Sequence, residues 1–263
     1  MWNIIKSINF QCKRDRGLKL LYLFMFGMIL LTTFMNLSGS VESVTGSEML
    51  VSNSSGVLVI TGFICSFFLC RTIGGDYTDK TINYEVLTGK SRNNIFFARM
   101  IYGFSLCVLA WSVLVLLPYI VATAINGWGI SVEFKVFVTR TLLLYLPLLR
   151  YMCEIMLITV LVRNQYLGMI ISYLIFEISA VILVIIKEIF DIEKAVFMWT
   201  SSSNMINVFN FRDYVVRYIN GEDVAVYGEP IPKDDLMWTV IVSLVVSLIC
   251  IAVSYRCFKK RDM

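Results

Sequence analysis

The apolar positions of this chain neither alternate nor form the narrow stripe of a surface helix; they come in six long blocks separated by polar stretches. The blocks are Leu18 to Leu37, Ser55 to Gly74, Met100 to Ile125, Val136 to Val162, Leu167 to Ile186 and Met237 to Cys257. Each holds about 20 residues or more, the length at which an apolar α-helix crosses a hydrocarbon core roughly 30 Å thick. Strands of a closed barrel, the other backbone solution in lipid, would show a period of two. The pattern predicts an all-α integral membrane protein of six transmembrane helices.

The polar stretches add smaller elements. Over residues 1 to 17, a helix to position 14 would place Met1, Ile4, Ile5, Ile8 and Cys12 on one face and Asn3, Lys6, Ser7, Lys13 and Arg14 on the other, with Phe10 off the pattern. That suits an N-terminal amphipathic interfacial helix, Trp2 at the boundary and lysines toward anionic lipid. An irregular basic leader that only sets orientation is the alternative. Between the second and third blocks, Gly74 and Gly75 predict a sharp bend. Asp76 is a good N-cap with Asp79 three residues on, Gly89 sits where a left-handed C-terminal residue belongs, and Ser91 can cap the helix entering the third block. Tyr77, Tyr84 and Leu87 share one side of the short helix from Asp76 to Thr88, and such a face wants a partner. The segment 187–235 holds two further helix candidates, Glu188 to Trp199 and Asn204 to Ile219, before the Gly-Glu-Pro-Ile-Pro loop at 228–232.

Composition narrows the class. Hydrophobic residues make up 58% and charged residues 16% of the 263, against about 45–50% and 25% in soluble domains. Residues 1–263 therefore read as one transmembrane domain with no soluble enzyme attached. The net charge of +4 is no nucleic-acid signal, because the basic residues sort by side. Fifteen of the 23 lie at or before the start of the first block or at or beyond the ends of the second, fourth and sixth. The stretch 38–54 carries none, Lys135 stands alone in the next loop on that side, and nine acids outnumber five bases in 187–235. By the positive-inside bias both termini are cytoplasmic. The first block is too long for a signal-peptide core and lacks a small-residue cleavage site. Five of the seven cysteines fall within the blocks, Cys12 and Cys257 stand at the cytoplasmic side and none lies in the outer loops, so no disulfide is expected. There is no histidine, which removes the usual proton relay, the commonest metal ligand and the base of most catalytic triads.

Six spans with both ends inside, a bent helical loop after the second and a long outer segment after the fifth resemble the permease subunit of ABC-2 type exporters. The loop carries the closest match. Asp76 to Lys80, Thr81, Leu87, Gly89, Ser91, Arg92 and Arg99 resemble the family's run of an acid, a Gly-Thr pair, a leucine, a glycine, Ser-Arg and a final basic residue, with Lys80 where the family usually has glycine. The resemblance covers essentially the whole chain. It implies that 76–99 is a cytoplasmic coupling segment, with Asp76, Tyr77, Lys80, Tyr84, Leu87, Gly89, Ser91 and Arg92 facing an ATPase, and that 187–235 forms short extracellular helices. No phosphate loop of the form G-x-x-x-x-G-K-[ST] occurs in the chain. The resemblance then implies that ATP and magnesium are bound by a separate ATP-binding subunit in two copies, and that no cofactor belongs to this chain. It also implies a second, identical permease subunit, a bacterial plasma membrane location, and an amphipathic peptide of toxin or bacteriocin type as substrate, with drugs or lipids as other cargo.

Ionisable residues inside the blocks bear on function most directly. Arg150 and Glu154 count to the middle of the fourth block and Glu177 to the middle of the fifth, while Arg140 is near an end and can snorkel. A charge at a helix centre costs roughly 2.5–3.5 kcal/mol on insertion scales, so the three are expected to form one cluster. Two readings stay open: a buried lock between the fourth and fifth spans, or a lining of the translocation path that meets cationic substrate groups. A secondary transporter or channel using the same three residues is the alternative function, and would need inverted repeats or broken helices. A membrane-embedded enzyme lacks a convincing base.

Overall fold

The computed structural model describes residues 2–38, 44–78, 87, 89–190, 199–211, 214–219, 222–228 and 230–260. They are predominantly helical. Among them five helices are long and apolar enough to cross a membrane, Gly56–Gly74, Arg92–Asn126, Phe134–Val162, Gln165–Leu183 and Lys233–Lys260, the make-up of a multi-pass helical membrane protein. In chain order the elements are α1 (Trp2–Arg14), α2 (Arg16–Ser38), α3 (Gly46–Leu69), α4 (Gly75–Thr78), α5 (Arg92–Asn126), α6 (Phe134–Val162), α7 (Gln165–Phe190), α8 (Ser201–Val208), strands β1 (Tyr214–Ile219) and β2 (Glu222–Tyr227), and α9 (Lys233–Lys260). Helix α6 is the central one. It packs against α3, α7, α8 and α9, and the side chains Leu144, Leu148, Met152 and Ile155 along it are fully enclosed. Helix α2 covers the first apolar block and lies against α5.

The ends of the helices follow local chemistry. Helix α3 starts well before its apolar block because Glu48 accepts from the Thr45 backbone N–H at 2.9 Å, and because the carbonyls of Gly127 and Trp128 take up the Gly46 and Ser47 N–H groups at 3.1 and 2.8 Å. These are the donors that a helix start leaves unsatisfied. Ser91 Oγ accepts from the Asn94 N–H at the start of α5, and Gly89 just before it has φ +82°.

The glycine pair after the second block does not bend the chain. Residues Cys70–Gly74 continue α3 as a π-helical segment that passes directly into α4, so Asp76 sits inside a helix and not at its N-cap position. The glycines answer a close approach instead. A Cβ at Gly74 would lie 2.9 Å from Thr159 Cγ2 and 3.0 Å from Gln165 Cα, so α6 and the start of α7 can pack on this turn only if it has no side chain there.

Helix α1 keeps its predicted amphipathic pattern but spends it on the protein. Ile4 and Ile8 are buried where α1 lies on α5, and Asn9 Oδ1 accepts from the Tyr102 hydroxyl at 3.3 Å. Trp2 and Phe10 are left exposed. At the α1–α2 junction Asp15 caps α2, accepting from the Gly17 and Leu18 N–H groups at 2.9 and 3.4 Å. Its other oxygen receives Arg71 Nε at 2.6 Å, while Arg71 Nη1 donates to Gln165 Oε1 at 2.6 Å. One arginine thereby ties the junction to the π-helical turn and to the start of α7. Burial opposes ionisation of Asp15, but the Arg71 hydrogen bond and charge and the two backbone donors outweigh it and hold the carboxyl below its ordinary value. The stabilisation is therefore present above the unfolded-state value near 4 and is lost as pH falls through the lower folded value. Asp15→Asn is expected to cost about 1 kcal/mol or less, since the pair is partly exposed. Melting in detergent should show that difference at pH 7 and lose it below about pH 4.

The second half of the outer segment departs from the helical expectation. Helix α8 ends at Val208, and the stretch expected to continue it to Ile219 is an antiparallel hairpin in which Tyr214 pairs with Tyr227 and Ile219 with Glu222. The composition explains this: Tyr214, Val215, Val216, Tyr218 and Ile219 are aromatic or β-branched, and Asn220-Gly221 is the strongest two-residue hairpin signal. Of the other predicted helix, Glu188 to Ile189 belong to the end of α7, which reaches Phe190, and residues 191–198 lie outside the described residues.

Candidate functional site

Helix α8 is polar yet enclosed. Ser201, Ser202, Ser203 and Asn204 are all buried, as are Met205, Val208, Phe209 and Phe211. Such a run survives burial only where its polar atoms are paired, and α6, α7 and α9 supply partners. Arg150, with 4% of its side chain exposed, donates Nε to Glu154 Oε1 at 2.9 Å and Nη2 to the Trp199 carbonyl. Ser201 Oγ donates to Glu154 Oε2 at 2.6 Å. Toward the other end, Arg140 Nη1 reaches the Val208 and Asn210 carbonyls at 3.2 and 2.6 Å, with the guanidinium 5.2 Å from the Phe211 ring centroid. Arg140 thus does not snorkel. It is buried and neutralises the carbonyl end of α8, where a helix favours a cation.

These contacts set the depth of the segment. Helix α8 runs antiparallel to α6, its last carbonyls at Arg140 near the start of α6 and its first residues at Arg150 and Glu154 near the middle. Residues 199–211 therefore reach into the bundle to within one arginine side chain of mid-helix. The Thr200 hydroxyl caps α8 by accepting from the Ser203 N–H at 3.3 Å. Asn204 fastens it to α9, donating Nδ2 to Ser243 Oγ at 3.3 Å and accepting from Thr239 Oγ1 at 3.2 Å. Ser202 Oγ lies 2.8 Å from Ser179 Oγ on α7.

The expected three-residue cluster forms only in part. Arg150 and Glu177 lie equally far from the Val162–Gln165 turn, about 18 Å along each helix axis at 1.5 Å per residue, so the counted depths agree. Yet Glu177 makes no ion pair with Arg150. The guanidinium is already committed to Glu154 and to a backbone carbonyl, and α8 contacts both helices there, presenting Ser201 to Glu154 and Ser202 to α7. Glu177 instead lines a cavity of about 340 Å³ between α3, α7 and α8, together with Ser54, Leu58, Phe176, Ser202 and Phe209. Its Oε1 is buried with no hydrogen-bond partner. The cavity combines an apolar wall with a carboxylate and hydroxyls, which suits a ligand carrying both an apolar body and a cationic or donor group.

The segment after α4 is described less fully. Lys80 and Tyr84 lie outside the described residues. Tyr77 does not share an outward face with Leu87: it is half-buried against the core beside Phe96, Met100 and Phe258, whereas Leu87 is 82% exposed. Arg92 Nη1 reaches the Lys259 carbonyl at 3.4 Å, linking the start of α5 to the end of α9. Arg99, the final basic residue of the motif, is buried in α5.

Sequence reasoning missed α8 as an inward element because a serine run reads as a cap or loop. The available signal was that no loop needs Met205, Val208, Phe209 and Phe211 in close succession after such a run. The geometry makes a direct prediction in a background without the native cysteines. A cysteine at 209, where Phe209 is 1% exposed, should label slowly with a membrane-impermeant maleimide, and one at 218, where Tyr218 is 76% exposed, should label fast. Equal rates would mean that α8 does not sit in the bundle. Comparison of the sequence with protein-family models and with curated proteins finds no match to either.

Proposed function

We propose that this chain is the permease subunit of an ATP-driven exporter of the ABC-2 type. In this reading α2 supplies the sixth span, both termini face the cytoplasm of a bacterial cell, and a second, identical permease completes the path. Two copies of a separate ATP-binding subunit hold ATP and magnesium and do the hydrolysis, and the residues between α4 and α5 form the coupling segment. The substrate class is an amphipathic peptide with cationic groups.

The observation that carries the reading is the cavity around Glu177 with α8 as its cover. An exporter needs a mid-membrane chamber closed on one side by an element that can be released. Helix α8 fits that need because its first turn is held on α6 by a few polar contacts, with its apolar packing confined to Met205 and the residues after it. The Glu177 carboxylate, with one oxygen buried and unpaired, favours cationic cargo.

The test is export into inverted membrane vesicles holding the chain and its ATPase partner, with a fluorescent cationic amphipathic peptide as substrate. Glu177→Gln should lower ATP-dependent uptake about tenfold, the loss of a hydrogen bond to a charged group, and leave the melting temperature unchanged, with Glu177→Asp retaining much of the activity. Uptake equal to wild type in Glu177→Gln would take the cavity out of the path.

A further inference from the structure

A second cavity, of about 450 Å³, opens where α5 and α6 part near their 127–133 connection. The two helices are consecutive in the chain but touch little along their length. Aromatic rings fill the wedge between them: Trp128 lies 4.9 Å from Phe137 and 5.3 Å from Phe134, and its indole N–H donates to the Val132 carbonyl at 2.6 Å, which fixes the rim. Ile120, Phe134 and Leu142, also on its lining, are 62%, 59% and 64% exposed. The mouth therefore opens sideways, toward the lipid.

Two hydroxyls on the lining are buried without a partner, those of Tyr119 and Thr141, on side chains 2% and 7% exposed. The Thr141 hydroxyl is unusual for this chain. Thr61, Thr72, Thr123, Thr139 and Thr159 all donate to the carbonyl four residues back in their own helix, the ordinary way for a helical threonine to satisfy its hydroxyl in an apolar setting. Thr141 and Tyr119 are left with donors to give, in a place where an unmade hydrogen bond costs most.

Their depth says what accepts them. Tyr119 and Thr141 lie equally far from the ends of α5 and α6 at the connection, about 10 Å along each axis. A bilayer of about 40–45 Å has a hydrocarbon core of about 30 Å, so a level about 10 Å below helix ends at the outer face of the headgroups lies about 3–5 Å inside the hydrocarbon edge, within reach of the ester carbonyl of a lipid whose chain enters the cavity. No lining residue is charged, which disfavours a free fatty acid or a cationic peptide. We propose that this cavity holds one acyl chain of a bilayer glycerolipid, whose ester carbonyl accepts from the Tyr119 and Thr141 hydroxyls. The site depends on the membrane character of the chain and not on what it transports.

The test uses the full chain in phosphatidylglycerol nanodiscs containing a trace of phosphatidylglycerol with a diazirine on one acyl chain, followed by irradiation and peptide mass spectrometry. Label should concentrate on peptides covering Leu116–Trp128 and Phe134–Tyr145. Ala124→Phe, which fills the mouth, should reduce that label at least about fivefold. The double variant Tyr119→Phe with Thr141→Val keeps the shape and should reduce it about three- to tenfold, the worth of a hydrogen bond or two, without lowering the melting temperature. Label spread evenly over all lipid-facing helices, or concentrated here but unchanged in the shape-preserving variant, would overturn the proposal. So would displacement of the label by an amphipathic peptide, which would make the site one for cargo.

Discussion

Arg150→Ala should destabilise the protein by about 3–5 kcal/mol, the usual loss when one partner of a buried ion pair is removed and the other is stranded. Two groups lose their partner at once, Glu154 Oε1 and the Trp199 carbonyl, while the Ser201 hydroxyl keeps Glu154 Oε2. At roughly 2–4 °C per kcal/mol for a protein of this size, the melting temperature in detergent should fall by about 10 °C. Arg150→Met combined with Glu154→Gln should fall less than Arg150→Met alone, because the neutral amide can still accept from Ser201 and no charge is stranded. The cycle of these variants should show strong coupling. The same cycle between Arg150 and Glu177 should be close to additive, since the two make no contact. Coupling of Arg150 to Glu177 as strong as to Glu154 would mean that the cavity carboxylate does belong to the cluster. The predicted loss also has a local signature: loosening of α8 should speed the labelling of a cysteine at 209 before it affects the rest of the bundle.

What could be read from the sequence divides along physical lines. Span-forming helices were legible because length and apolar content are properties of a single segment, so the second to sixth blocks map onto five long helices with shifted ends. The ends shifted because caps come from partners distant in sequence, as when Gly127 and Trp128 carbonyls cap α3. Arg150 and Glu154 were legible as a pair because four residues on a helix place them on one face. Glu177 was misassigned because equal depth does not fix rotation or what lies between two helices, and α8 lies between them. Arg140 was misjudged for a related reason: nearness to a helix end permits snorkelling, but the carbonyl end of α8 competes for the charge. Gly74 and Gly75 read as a bend because glycine permits one, while their use here is contact with Thr159 and Gln165. The hairpin was legible in Asn220-Gly221 and its β-branched flanks, and was passed over in favour of a loose helical period.

Leu87 provides the second large effect. A leucine 82% exposed shortly before Gly89 and the Ser91 cap offers an apolar side chain to a partner. In the exporter reading it enters the ATPase. Leu87→Asp should therefore abolish ATP-dependent peptide uptake, by about a hundredfold if it is a central anchor of that contact, with no change in melting temperature because the side chain is 82% exposed. Tyr77→Ala should do the reverse first, lowering stability through lost packing against Phe96 and Phe258. The two substitutions thus separate the docking surface from the core that supports it.

The central claim, that this chain is the membrane half of an ATP-driven machine, is tested most directly by purifying it from native membranes in mild detergent and asking what comes with it. The account predicts a complex of two copies of this chain and two of a polypeptide bearing a phosphate-loop motif, hydrolysing ATP, with the ATPase lost from the Leu87→Asp variant while the permease pair remains. A stable, correctly folded preparation that moves substrate with no ATPase attached, driven by an ion gradient and dependent on Glu177, would contradict it.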